Sequence, residues 1–116
     1  MQRFINNGLC GPFESFQSQQ NDPFSLTYFV ISPQGKCMTF SFRYEKVGSI
    51  WRAFIVECPD YGSRSTNPVH TGRTSCTDGR YYVDWCPEQE RLDDITAVSK
   101  MWAKATAKYI AMGERF

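Results

Sequence analysis

Between residues 24 and 58 apolar side chains recur at every second position, and between 93 and 113 at every third or fourth. A period of two belongs to half-buried strands and a period near 3.6 to an amphipathic helix, so the change divides the chain into sheet and helix. The first strand is Phe24-Ser25-Leu26-Thr27-Tyr28-Phe29-Val30-Ile31, rich in aromatic and β-branched residues. Phe29 and Ile31 put apolar groups on its second face as well, which predicts a strand covered on both sides. Ser32-Pro33-Gln34-Gly35 reads as a turn, because proline presets the backbone angle that a turn needs. In the second strand, 37–45, Met38, Phe40, Phe42 and Tyr44 point one way and Thr39, Ser41, Arg43 and Glu45 the other. That alternation predicts one buried and one wet face. After Lys46-Val47-Gly48 a third strand, 50–58, sets Ile50, Arg52, Phe54, Val56 and Cys58 against Trp51, Ala53, Ile55 and Glu57. Large apolar groups on both of its faces predict a central strand or an aromatic patch exposed for a partner. Short turns between consecutive strands make 24–58 a three-stranded antiparallel meander.

Residues 59–78 have no periodicity and are rich in Gly, Ser, Thr, Asn, Arg and Pro. A connection this long is unusual in a small domain, and such connections are often functional. It carries Tyr61, Arg64, His70 and Arg73. Asp78-Gly79 then signals a hairpin turn into a strand over 79–86, Arg80-Tyr81-Tyr82-Val83-Asp84-Trp85. The helix is predicted over 93–113, with Asp93 or Asp94 as N-cap, Leu92 and Ala97 stapling its start and Gly113 as its stop. Ile95, Val98, Trp102, Ala105, Thr106 and Tyr109 form its apolar stripe, and Lys100, Lys104 and Lys108 its wet ridge. Upstream, in 1–21, Phe4, Ile5, Leu9, Phe13 and Phe16 recur at helix-like steps interrupted by Gly8, Gly11 and Pro12. That stretch is expected to be a short helix or an arm laid on the core. The fold class that follows is α+β: a single domain with an antiparallel sheet of four to five strands and one long C-terminal helix packed on one face.

Composition narrows the function mainly by exclusion. Thirteen basic against twelve acidic side chains leave a net charge of +1, far from the strong positive charge of domains held to nucleic acid by bulk electrostatics. The five cysteines are an odd set at wide spacings without a C-x-x-C pair, which reads as reduced thiols in a cytoplasmic protein. Neither a signal peptide nor a stretch long enough for a membrane helix is present, so no membrane is expected.

Two chemistries deserve weighing against the plain reading of the same residues. His70 with Cys58, Cys76 and Cys86 could ligate zinc, but structural zinc sites bring ligands in close pairs and no such pair exists here. No metal and no cofactor is expected. The single histidine with Cys58 or Cys76 and Asp60 or Asp78 formally supplies a nucleophilic triad, and a small Cys/His enzyme is one alternative. Against it, the chain has no nucleophile elbow, phosphate-cradling glycine loop or H-E-x-x-H. Binding without catalysis is the expected activity. Tyr and Arg carry much of the energy of interfaces, and the residues expected to do so are Tyr61, Arg64, His70, Arg73, Arg80 and Tyr82. A protein or nucleoprotein partner is expected. Nucleic acid is the alternative, since Arg80-Tyr81-Tyr82 beside an arginine-bearing loop interleaves charge with aromatic stacking groups.

The cadence Asp78-Gly79-Arg80-Tyr81-Tyr82-Val83-Asp84-Trp85, followed by a helix with Trp102-Ala103, Thr106 and Tyr109-Ile110, resembles small uncharacterised proteins of phages and mobile elements of Gram-positive bacteria. The resemblance covers about a third of the chain. It implies an accessory protein that binds host or defence machinery, as anti-CRISPR inhibitors do, and it assigns no individual residue a role.

Overall fold

The computed structural model describes residues 23–113, so the expectation for residues 1–21 lies outside the described residues. Among the described residues five strands and two helices follow in chain order: β1 Phe24–Ile31, β2 Cys37–Val47, β3 Ile50–Glu57, α1 Pro68–Thr71, β4 Arg73–Ser75, β5 Tyr81–Val83 and α2 Leu92–Met112. All strand pairs are antiparallel, in the order β1-β2-β3-β5-β4, and α2 lies across one face over β1, β2 and β3. The fold is α+β.

The meander holds through β3 and then breaks. The stretch 59–78, expected to be loop, contains α1 and β4. It carries the chain past the place beside β3 to the far edge, and the Asp78-Gly79 turn brings β5 back between β3 and β4. Gly79 takes φ +89°, which glycine adopts without steric cost, and Cys76 N–H closes the hairpin on the Arg80 carbonyl at 2.6 Å. The strand expected over 79–86 is short, Tyr81–Val83, because the chain then turns towards the helix and meets β3 only once more, where Trp51 N–H donates to the Gln89 carbonyl at 2.8 Å.

The core forms where the two periods meet. Phe40, Phe42 and Tyr44 from β2, Trp51 and Ala53 from β3 and Val83 from β5 pack against Ile95, Trp102, Ala103 and Ala107 of α2. The Trp102 indole meets Phe40 and Phe42 edge-on, with centroids 6.0 and 5.8 Å away, and its Nε1–H donates to the Thr71 carbonyl at 2.8 Å. A buried indole needs such a partner for its one polar atom. A hydroxyl ladder crosses the core beside it. Ser99 donates to the Thr96 carbonyl, so Tyr44 Oη donates to Ser99 Oγ at 2.6 Å and Tyr28 Oη to Tyr44 at 3.2 Å. Burial raises the Tyr44 and Tyr28 phenols above their ordinary range.

The ends of α2 correct one expectation and match another. The N-cap is Arg91, not Asp93 or Asp94. Its side chain makes no capping bond, and the two carboxylates sit within the first turn, where they complement the positive helix end. Gly113 stops the helix at φ +75° with its N–H on the Tyr109 carbonyl.

Two strand expectations change in detail. Between β2 and β3, Ser41 faces Glu57 while Phe42 faces Ile55, so Val56 is an extra residue, a β-bulge. The slip turns Glu57 to the outer face, where Ser41 Oγ donates to it at 3.2 Å, and lets Cys58 pack against the core. And among the described residues β1 is covered on one face only: Phe29 and Ile31, on its other face, are 68% and 65% exposed.

Candidate functional site

Among the described residues α2 covers one side of the five-stranded sheet and no other element covers the opposite side. It has two parts. Along β1, Phe29 and Ile31 stand outward beside Thr39 and Cys37 of β2, and Val56 of the bulge is 64% exposed. β1 is also an edge: among the described residues no strand pairs with its other side. Natural edges are usually blunted by charge, proline or a bulge, because a free row of N–H and C=O groups templates another strand. Phe24–Ile31 has eight residues, with no charge, no proline and no bulge in its pairing with β2.

The second part lies over β2, β3 and β5. Arg80, two residues before Tyr82, reaches Glu45 at 2.8 Å and Asp78 at 2.8 Å, and Arg43 meets the same Glu45 at 2.9 Å. Hydrogen bonds from Arg80 are the main reason that the Glu45 and Asp78 carboxyls are held below the usual range. The Arg80 guanidinium lies 3.7 Å over the Phe54 ring and that of Arg52 lies 4.1 Å over Tyr82, while Phe54 and Tyr82 meet edge-on at 6.2 Å. Phe54 is therefore buried on the outer face by an arginine, not by the core. Thr74 and Asp84 continue this surface, hydrogen-bonded at 2.7 Å.

The six residues expected to bind divide between the two sides of the sheet. Arg80 and Tyr82 belong to the outer surface just described. Tyr61, Arg64 and Arg73 belong to the helix side, because 59–78 is docked on α2. Tyr61 is buried against Tyr109 with ring centroids 6.1 Å apart, and Tyr109 Oη donates to the Ser65 carbonyl at 2.7 Å. Arg64 Nε donates to the Ile110 carbonyl at 3.2 Å, serving one of the carbonyls the helix end leaves without an intrahelical partner. Gln34 serves the Ala111 carbonyl from the β1–β2 turn at 3.3 Å. Arg73 pairs across the ladder with Val83 and so shares the helix face, its guanidinium between the rings of Tyr61, 4.8 Å away, and Tyr81, 4.3 Å away. His70 is half-buried in the single turn of α1.

The described His, Cys, Asp and Glu side chains form no group of three or more that could hold a metal ion. Cys37 and Cys86 are exposed free thiols, while Cys58 is half-buried and pushed up to about 11 by burial, an inert protonated thiol at neutral pH. No described helix is long and apolar enough to cross a membrane. The outward pair Phe29 and Ile31 was visible in the sequence as two apolar residues out of phase; what it lacked was the side on which the helix would lie. Compared with protein-family models, with curated proteins and with solved structures, the chain shows no significant match.

Proposed function

We propose that this chain is a non-catalytic binding protein that takes a protein or nucleoprotein partner along β1 and the outer face of its sheet. The observation that carries the reading is the coincidence, on one strand, of an unblunted edge with two outward apolar side chains, Phe29 and Ile31. An extended segment of a partner would add to β1 through main-chain hydrogen bonds, with alternate side chains resting on Phe29 and Ile31. The charge on this face favours protein over nucleic acid. Arg43 and Arg80 are already neutralised by Glu45 and Asp78, and Glu57 and Asp84 add two more carboxylates to the same face, so few cations remain to displace counterions from phosphates. An accessory role against host defence machinery, as the phage resemblance implies, is one setting in which such a protein would work.

The test is a pull-down with the wild-type chain and the double variant Phe29→Lys, Ile31→Lys, at low and high salt. Both side chains are exposed, so folding stability should change by no more than roughly half a kcal/mol per site. Retention of the partner should persist at high salt in the wild type and disappear in the variant. Retention that survives the double variant moves the site to the helix side, and binding that collapses with salt points to nucleic acid instead.

A further inference from the structure

The ladder between β1 and β2 fixes what the free edge of β1 presents. Ser32 N–H donates to the Lys36 carbonyl at 2.8 Å, in the same register that sets Ile31 against Cys37 and Phe29 against Thr39. Along an antiparallel strand the backbone groups turn alternately to one neighbour and the other. Phe24, Leu26, Tyr28 and Val30 therefore bond to β2, while Ser25, Thr27, Phe29 and Ile31 turn their N–H and C=O groups to the free edge. The Thr27 and Ser41 hydroxyls, bonded at 2.9 Å, agree with this, because side chains come closest across a pair without mutual backbone bonds. A strand added to β1 would exchange its backbone bonds with Ser25, Thr27, Phe29 and Ile31. Its side chains opposite Phe29 and Ile31 would stand on the outer face. The one opposite Tyr28 would stand on the helix face, in the closer kind of pair.

The helix face of this edge carries charge of one sign. Lys100 of α2 reaches over β1, its Nζ 5.2 Å from the centroid of the Tyr28 ring. Lys104 follows one helical turn later. Both are exposed, and neither has a carboxylate within ion-pair distance among the described residues, whose ion pairs all use arginine. β1 itself carries no charge. We propose, on the reading that β1 takes an added strand, that the segment recognised is an extended stretch of a partner protein in which apolar and acidic residues occupy set positions. Apolar residues lie opposite Phe29 and Ile31, and an acidic residue opposite Tyr28 pairs with Lys100. Run antiparallel to β1, the order is apolar, any, apolar, acidic. A second copy of the chain fits this edge less well. Its β1 has no acidic residue to offer, and a two-fold pairing brings two Lys100 amines together on the helix side.

Three end-blocked peptides, Val-Thr-Val-X-Thr-Val with Glu, Gln or Lys at X, test the proposal. Each is titrated into the full chain while the NMR shifts of the β1 amides are followed. The Glu peptide should bind the wild type more tightly than the Gln peptide by roughly two- to fivefold, the range of an exposed ion pair, and the Lys peptide should bind least. Lys100→Gln should remove the preference and Lys100→Glu should reverse it, and either variant suffices if the other folds poorly. Equal affinity of the Glu and Gln peptides for the wild type overturns the acidic preference and leaves strand addition standing. Shifts at β1 from none of the three overturn the proposal, while strand addition itself is then judged by the pull-down with Phe29→Lys, Ile31→Lys. A dimer of the full chain in sedimentation, split by that double variant, overturns it in favour of a second copy. Equal displacement of the Glu peptide by a single-stranded oligonucleotide overturns it in favour of phosphate.

Discussion

Trp102 shows how much one side chain can settle. It is fully buried, stacked edge-on with two phenylalanines, and its nitrogen holds the connection 59–78 by the Thr71 carbonyl. Trp102→Ala removes the transfer energy, opens a cavity and frees that carbonyl, so it should cost about 3–5 kcal/mol, out of a total of roughly 5–15 kcal/mol for a domain of this size. Chemical denaturation should find it barely folded. Trp102→Phe keeps most of the volume and loses the hydrogen bond, and should sit between the two. Lys104→Ala, on the wet ridge, should change little, because alanine is the better helix former. Equal stability of Trp102→Ala and wild type would mean that the helix faces the other way. Four further residues set the response to alkali. Burial raises Cys58, from 9.0 to about 11, and the phenols of Tyr28, Tyr44 and Tyr61 above 10.0. In each case the folded value exceeds the unfolded one, so the unfolded chain loses its proton first as pH rises. Their contribution is complete below 9.0 and declines as pH climbs through the range up to about 11 and beyond. The urea midpoint should therefore hold from neutrality to about pH 9 and fall above it, with the onset delayed in Cys58→Ala. A midpoint level to pH 11 would contradict this burial.

At the scale of elements, the helix end explains why arginine occurs where the sequence points to a binding loop. The last carbonyls of α2 need donors; Arg64 and Gln34 supply them, and Arg64 also places positive charge at the negative end of the helix. Arg64→Ala should thus cost about 1 kcal/mol, measured by thermal or urea unfolding, where an exposed loop arginine would cost almost nothing. Arg64→Lys should recover only part, since Lys cannot reproduce the fixed donor geometry of a guanidinium. No loss in Arg64→Ala would return Arg64 to the exposed, binding-competent class. The sheet makes a similar point through its bulge. A single extra residue, Val56, sends Cys58 from the outer face to the core, and strict alternation carried beyond Phe54 fails for that reason.

At the scale of the whole molecule, the described residues make a two-layer arrangement in which α2 covers the sheet on one side, and the candidate site follows from that asymmetry. The outer face and the β1 edge lie where the helix is not, and 59–78 docks on the helix through the Ser65 and Thr71 carbonyls. Periodicity alone determined the α+β class, strands β1 to β3, the amphipathic helix and the burial of Trp102. These depend on the repeat of the backbone itself, two in a strand and 3.6 in a helix, which any one segment displays without its neighbours. Four features depended on contacts between distant segments. Strand β4 is three residues long and exists only because β5 pairs with it. Arg73 and Arg80, seven positions apart, are assigned to opposite faces by that pairing register, not by any local signal. Phe54 is buried by Arg80, reached across β5. The exposure of Phe29 and Ile31 was decided by where the helix lies, because an apolar residue out of phase on a strand reads the same whether a second layer covers it or a partner does.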